Sequence, residues 1–312
     1  MRKRYLVTGG AGFVGSHICD ALVDGGHEVV ILDDFSSGRR ANLAAAAGAA
    51  RVIEADVRDI ARHAAAIGEV DAVLHLAALI SGPDSLREYD RYAEVNLGGL
   101  ARVIEFAAAS GVGRIVFASS STVYGNQPAP VLDETAPPEP LSVYALTKLA
   151  GEHLLSIYGH LHGFSHVSLR LFNVYGPRQA IDHPYANVTC KFCHAAANGL
   201  GVKRYGDGKQ SRDFVYVADA VRAFLAVLAG SRQTLYNVGT GEEHSINALL
   251  AALEGLTGRA IAVENHGAWP NDIRRIRADV TRLEDEFGIR PRVTLRDGLA
   301  RTLAYFAGGE PE

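Results

Sequence analysis

The segment Tyr5-Leu-Val-Thr-Gly-Gly-Ala-Gly-Phe-Val-Gly15 constrains the fold more than any other. A short apolar run is followed at once by glycines at 9, 12 and 15, and then by a helical pattern. Gly9 permits a tight turn, Gly12 lets the backbone approach a ligand, and Gly15 lets helix and strand pack closely. A helix that opens there offers unpaired N–H groups and the positive end of its dipole to phosphate oxygens. Phe13 and Val14 lie inside this opening. The acidic pair Asp33-Asp34 ends the next apolar run, about 20 residues on, where a carboxylate accepts hydrogen bonds from a ribose. Such a carboxylate repels a 2′-phosphate, which favours NAD over NADP; Arg39 and Arg40 weigh mildly the other way.

Apolar runs recur at Glu28–Leu32, Arg51–Ile53, Ala72–Leu76, Arg114–Ala118 and Val167–Leu171. Helical stretches such as Ser16–Asp24, Leu97–Ser110 and Ala145–Leu161 separate several of them. The alternation predicts an α/β chain, a doubly wound parallel sheet of the Rossmann type with helices on both faces. Asp56 and Val57, after the third run, are placed to meet an adenine. Leu76-Ala77-Ala78 ends the fourth with small side chains, as a ligand lying over it requires. Beyond residue 172 the pattern loosens into loops rich in Gly, Pro and charge. We therefore expect a nucleotide domain over 1–172 and a smaller C-terminal α/β substrate lobe over 173–312. A return to the first sheet is expected near 214–241. The Ala-rich stretch 41–50 reads as a helix end and loop.

The chain has 312 residues, 48% of them apolar, enough to fill a sizeable core. Lys plus Arg (31) nearly balances Asp plus Glu (35). That near-neutrality disfavours a nucleic-acid or anionic-membrane partner. No apolar run reaches the roughly 18 residues of a membrane helix. The basic start resembles an export signal, but its apolar part is cut at Thr8. Three cysteines make no disulfide framework, so a cytoplasmic location is expected.

A second constellation carries chemistry. Tyr144 and Lys148 stand four residues apart in a helical stretch, one turn apart on one face. An ammonium and a nicotinamide cation beside a phenol lower its pKa from about 10 toward neutrality, making a general base. Surface Tyr–Lys pairs share this spacing. What distinguishes this one is Ser119-Ser120-Ser121-Thr122, directly after the fifth apolar run and so at the same sheet edge.

With these motifs in hand, the sequence strongly resembles the extended short-chain dehydrogenase/reductase family, and within it the nucleotide-sugar 4-epimerases. The resemblance spans nearly the whole chain. It rests on Thr-Gly-Gly-Ala-Gly-Phe-Val-Gly, Leu-Ala-Ala, Ser-Ser-Ser-Thr-Val-Tyr-Gly, Tyr-x-x-x-Lys, Leu-Phe-Asn-Val-Tyr-Gly-Pro and Arg-Asp-Phe-Val-Tyr-Val. It implies Tyr144 as base, Lys148 as its partner and Ser120 as a hydroxyl contact. It also implies Asn96 in the cofactor pocket, with Asn173 and Arg212 on a sugar-nucleotide diphosphate. An Arg212–Asp213 ion pair is the alternative reading of that arginine. Tyr205 is placed to stack on a base or to pack in a strand. Ser81 and Ser85, in the loop after the fourth run, are candidates for sugar hydroxyls, and Ser121 for the sugar itself.

Resembling dehydratases carry Asp-Glu where Ser121 and Thr122 stand, and decarboxylating relatives place Glu at the second position. Without those carboxylates, oxidation and return at C4 is the expected reaction. Dehydratase or 4-ketoreductase chemistry on the same scaffold is the alternative, and a non-enzymatic dinucleotide sensor a further one. The stretch 267–272 lacks an arginine common in UDP-hexose epimerases, with Trp269 near its place; Arg274 or Arg275 is the expected compensation. The resemblance implies a homodimer, because relatives pair the helices at 97–110 and 144–161. Cys190-Lys-Phe-Cys193-His194 spells a haem-attachment motif but reads as the inner face of a helix. His75 reads as packed within a strand, and no metal site is expected.

Overall fold

The computed structural model describes residues 1–129, 131–182, 187–268 and 273–308. Seven strands form its central sheet: β1 (Arg4–Thr8), β2 (Glu28–Asp33), β3 (Ala50–Glu54), β4 (Ala72–His75), β5 (Arg114–Ser120), β7 (Ser165–Leu171) and β12 (Leu235–Val238). Their order is β12-β7-β5-β4-β1-β2-β3, and every neighbouring pair runs parallel. Leu6, Val7, Val30, Ile31, Val73, Leu74, Ile115 and Val116 are almost wholly buried. Helices therefore cover both faces, which is why these strands read as continuous apolar runs rather than alternating ones.

On one face lie α1 (Phe13–Asp24) and α8 (Val217–Leu228), packed against each other. On the other lie α5 (Gly99–Ala109) and α6 (Val143–His162). Short helical pieces α2 (Ala64–Ile67), α3 (Gly82–Ser85) and α4 (Tyr89–Tyr92) fill the connections between β3 and α5. The Ala-rich stretch begins as a 3₁₀ turn at Arg40–Leu43 and runs through turns into β3.

Beyond β7 the chain builds smaller sheets. β8 (Asn173–Tyr175) pairs with β11 (Phe214–Tyr216), and β9 (Val202–Tyr205) with β14 (Val263–His266). A four-stranded sheet runs β13 (His244–Ser245), β10 (Ser211–Arg212), β15 (Arg275–Ala278), β6 (Val131–Leu132). Around them pack α7 (Val188–Ala197), α9 (Ile246–Thr257), α10 (Thr281–Phe287) and α11 (Leu295–Ala307). The chain crosses between its halves twice. β6 leaves the first half to join the small sheet, and β12 returns beside β7. Residues 214–216, read from sequence as part of that return, instead extend β8.

One buried carboxylate ties these crossings together. Asp213 is fully buried between β10 and β11. It accepts hydrogen bonds from the backbone N–H of Thr240 (2.7 Å), Gly241 (2.9 Å) and Ala278 (3.1 Å), and from the Thr240 hydroxyl (2.7 Å). The alternative reading of an Arg212–Asp213 ion pair is thereby set aside, since the carboxylate serves these backbone donors. Asp213→Ala strands one buried and two part-buried backbone donors at once. It should lower unfolding free energy by about 3 kcal/mol or more, measured by urea denaturation.

Candidate active site

The carboxyl ends of β1, β2, β4 and β5 converge on one edge of the sheet, where a doubly wound fold places its ligand. At β1 the chain turns through Gly9 at φ +72°, a conformation that favours glycine. A Cβ there would meet the backbone nitrogen of Ala77 at 2.6 Å, so the glycine turn and the Leu76-Ala77-Ala78 segment lie flush. Gly12 caps α1 without any side-chain hydrogen bond, and the first turn holds no acidic residue. Its first-turn N–H groups, from Phe13, Val14 and Gly15, thus face the edge with no capping side chain. This is the donor set a pyrophosphate fits.

Asp33, at the end of β2, is 6% exposed. Its oxygens accept from Ala11 N and Phe35 N, each at 2.9 Å, so the carboxylate braces the glycine turn. Burial pushes its pKa up while the two backbone donors pull it down. An ionised carboxylate has about four acceptor sites, leaving room for ribose hydroxyls. Gly38 belongs to the same wall, for a Cβ there would meet Asp33 Oδ1 at 2.7 Å. The sequence reading missed it, although Ser36-Ser37-Gly38 is a plain turn signal. Asp34 is exposed and accepts from the Ser36 backbone N–H and hydroxyl. Arg40 is paired with Glu54 and Arg39 with Asp182.

Some expected contacts change character. The Asp56 carboxylate caps the following 3₁₀ turn and is chelated by the Arg58 guanidinium, which holds its pKa low. The Val57 side chain is buried against Gly99 of α5, so only its backbone is left for an adenine. Asn96 sits in a π-helical turn over Ala93–Gly98. Its amide donates to Leu79 O and Thr147 Oγ1 (both 3.0 Å), and its oxygen accepts from Leu79 N at 2.8 Å. It therefore clamps the loop after β4 onto α6. π-turns of this kind cluster at functional sites; the sequence carries no separate signal for one.

The reacting group lies on α6. Ser142 caps that helix, its hydroxyl accepting from Ala145 N at 3.1 Å. Lys148 is 3% exposed, and its Nζ donates to Ala118 O of β5 at 2.8 Å. The ammonium lies 4.9 Å above the Phe117 ring and 5.9 Å from the Tyr144 ring centre. Burial pushes its pKa down to about 7. The Tyr144 phenol is partly buried beside Ser120, whose hydroxyl lowers its pKa while burial raises it more. This corrects the sequence expectation for the chain alone. Desolvation dominates, and Lys148 is half neutralised near pH 7, so it does not by itself bring the phenol toward neutrality. His75 is packed as expected, bonded to the Thr8 hydroxyl at 2.7 Å and stacked on Phe117. Burial and the nearby Lys148 lower its pKa to about 3.

Ser120 Oγ accepts from Thr122 N (3.2 Å) and shares a 2.9 Å hydrogen bond with Thr122 Oγ1. Ser121 is 5% exposed at the start of a 3₁₀ turn, Ser121–Tyr124. Ser81 caps α3, accepting from Asp84 N, while its own N–H donates to the Tyr92 phenol. Ser85 is fully buried and its hydroxyl donates to Gly82 O at 2.6 Å. Against the sequence expectation of a sugar contact, the residue has no exposed surface here and its proton is given to the turn. Asn173 begins β8 and Arg212 ends β10, where its Nη1 donates to Ser211 O. Tyr205 ends β9 with its ring 5.1 Å from that of His266. Arg275 is ion-paired with Glu243 and Arg274 with Asp207, both arginines standing more than half exposed. Trp269 lies outside the described residues. Cys190 and Cys193 are buried on α7 with thiol pKa values pushed up, as an inner helix face implies. Among the described residues no metal-ligand cluster occurs.

Fold and edge together define a Rossmann-type, dinucleotide-dependent protein with a tyrosine–lysine pair at its reacting end. The chain belongs to the NAD dependent epimerase/dehydratase family, whose model matches residues 5–239. It is 40% identical to a UDP-glucose 4-epimerase of Mycolicibacterium smegmatis, over 97% of this chain and 98% of that one. The structure of a UDP-glucose 4-epimerase from Thermus thermophilus in complex with NAD superposes with a TM-score of 0.92. It is 38% identical and covers 98% of this chain and 99% of its own. A UDP-N-acetylglucosamine 4-epimerase from Methanobrevibacter ruminantium, bound to UDP-N-acetylmuramic acid, gives 0.93 at 35% identity, covering 98% and 99%.

The lysine offers a direct check on the cofactor-free chain. With its pKa near 7 when folded and about 10.4 when unfolded, the unfolded chain binds the extra proton between those values. Stability from this group therefore rises with pH through that window, by at most about 1.4 kcal/mol per unit. Lys148→Met should remove this rise, seen as the difference in urea midpoints between pH 7.5 and 9.5.

Proposed function

We propose that the chain is an NAD-dependent isomerase that inverts C4 of a UDP-hexose, UDP-N-acetylhexosamine or UDP-uronate. The observation that carries this is the composition of the reacting edge. The Tyr144 phenol lies beside the Ser120 hydroxyl with Lys148 buried beneath it. Ser121 and Thr122 stand where dehydration or decarboxylation would need carboxylates. The relatives' names supply the uridine nucleotide, the hexose and the N-acetylhexosamine.

The glycine turn with Phe13 and Val14, the brace at Asp33, the Leu76–Ala78 wall and Lys148 would hold the dinucleotide. Bound there, it supplies an acceptor of hydride that later gives the hydride back. The chain's own work is with protons and position. Tyr144 takes the proton of the C4 hydroxyl as that carbon is oxidised, and returns it when the carbon is reduced from the other face. Ser120 hydrogen-bonds the C4 oxygen throughout. Lys148, where protonated, would add positive charge under the phenol to that of the oxidised nicotinamide, the two together favouring its ionised form. Arg212 and Asn173 hold the diphosphate, a planar fork and an amide suited to its oxygens. Tethered in this way, the 4-keto sugar turns over without leaving. Tyr205 and Ser81 border the same space, and Ser85 and Arg275 are dropped from it.

Two further features complete the proposal. Leu146, Ile157 and Leu161 form an exposed apolar stripe along α6, 52–67% exposed. We take it as the face on which a second copy docks. Among the described residues no helix is long and apolar enough to cross a membrane, and all three cysteines are free and buried. Both suit work in the cytoplasm.

Incubation with UDP-sugars and no added cofactor should give C4-inverted products, resolved by NMR. Consumption of added reduced nicotinamide instead would make the chain a ketoreductase. Tyr144→Phe should cut turnover by about 10²-fold with bound NAD unchanged. Ile157→Asp combined with Leu161→Asp should move the protein to the monomer volume in size-exclusion chromatography.

A further inference from the structure

Behind the reacting edge lies a buried ion pair that the proposed chemistry does not use. Glu152 stands on α6 one turn beyond Lys148, which itself stands one turn beyond Tyr144. Its carboxylate receives Arg170 of β7 in a two-pronged contact, Nε to Oε1 at 2.9 Å and Nη2 to Oε2 at 2.7 Å. Oε1 also accepts from the Ser119 hydroxyl. Ser119 and Arg170 are register partners across β5 and β7, so one carboxylate fastens α6 to both strands. The two side chains are only 10% and 4% exposed. The Arg170 guanidinium continues onto the Tyr124 ring, 4.6 Å away, and the Tyr124 phenol donates to Asn237 Oδ1 at 2.7 Å.

A buried ion pair is a poor source of stability, since well-packed apolar side chains serve as well. What this one specifies is register. Lys148 is bonded to residue 118 of β5 and Glu152 to residue 119, two rungs one helical turn apart. Together they stop α6 from sliding or rolling along the strand that ends in Ser120. The separation of the Tyr144 phenol from the Ser120 hydroxyl follows from that placement.

We propose that Glu152, locked by Arg170, is a positioning residue that sets the Tyr144 phenol against the Ser120 hydroxyl. This rests on the reading of Tyr144 as the proton carrier. The test uses the holoenzyme labelled with ¹³Cζ-tyrosine, with the Tyr144 resonance assigned from Tyr144→Phe. Steady-state kinetics are measured on Glu152→Gln and on the double variant Glu152→Leu/Arg170→Met, which removes both charges and keeps an apolar filling. Both should lose about tenfold or more in kcat with KM within about threefold. In both, the Tyr144 titration should move up by about one pH unit as the Ser120 hydrogen bond is lost. A folded double variant with the parent's kcat and Tyr144 titration overturns the proposal and leaves the pair as packing alone. Should the parent protein convert no UDP-sugar, the 4-epimerase reading fails on its own. The Tyr144 titration in the variants then decides the positioning role without any turnover.

Discussion

The docking of α6 onto the carboxyl end of β5 is the contact on which the rest of the site depends. It is made without a surface carboxylate for the lysine. Lys148 Nζ gives a hydrogen bond to the Ala118 carbonyl and lies over the Phe117 ring. Helix and strand approach closely because Gly151 faces that ring; a Cβ there would meet it at 2.8 Å. Among the described residues this buried ammonium has one carbonyl and two aromatic rings about it, so it is poorly solvated and its pKa falls to about 7. The fold thereby keeps a group whose charge responds to what binds above it.

The nucleotide end is governed by steric clearance. Gly9 touches the backbone at Ala77, and Gly38 lies against Asp33, so β1, β2 and β4 share one tight wall. A side chain at Gly9 would run into the backbone of Leu76 and Ala77, and one at Gly38 into Asp33 and Ala11, so the wall closes only with glycine at both places. Asp33 then has two tasks: it braces the Ala11 and Phe35 amides, and it presents what acceptor capacity remains. The second half of the chain is tied to this edge by Asp213 and by the exchange of β6 and β12 between the halves. Asn173 on β8 and Arg212 on β10 are thus fixed relative to the sheet whose edge carries the glycine turn.

Much of this was legible in the sequence, because it rests on local chemistry. The glycine spacing, the apolar runs of buried parallel strands and the Tyr144–Lys148 helical spacing each follow from short-range geometry. They located the sheet, the nucleotide end and the reacting edge. Ser85 and Arg275, read as contacts, are engaged in this structure by partners that nothing in the local sequence marks, Gly82 O and Glu243. The same holds for Asn96, which reads as a cofactor contact and stands as a clamp on Leu79 and Thr147.

The sequence by itself determined the order of elements and the chemical types gathered at the strand ends, since period and turn chemistry depend on neighbours in the chain. Only the tertiary structure decided which polar groups remain to meet a ligand. Glu152 and Arg170 lie 18 residues apart, and Asp213 and Ala278 65. Nothing local marks such pairs. Their meeting is set by the whole packed chain, and the same packing buries Lys148 and Tyr144, lowering the pKa of the first and raising that of the second.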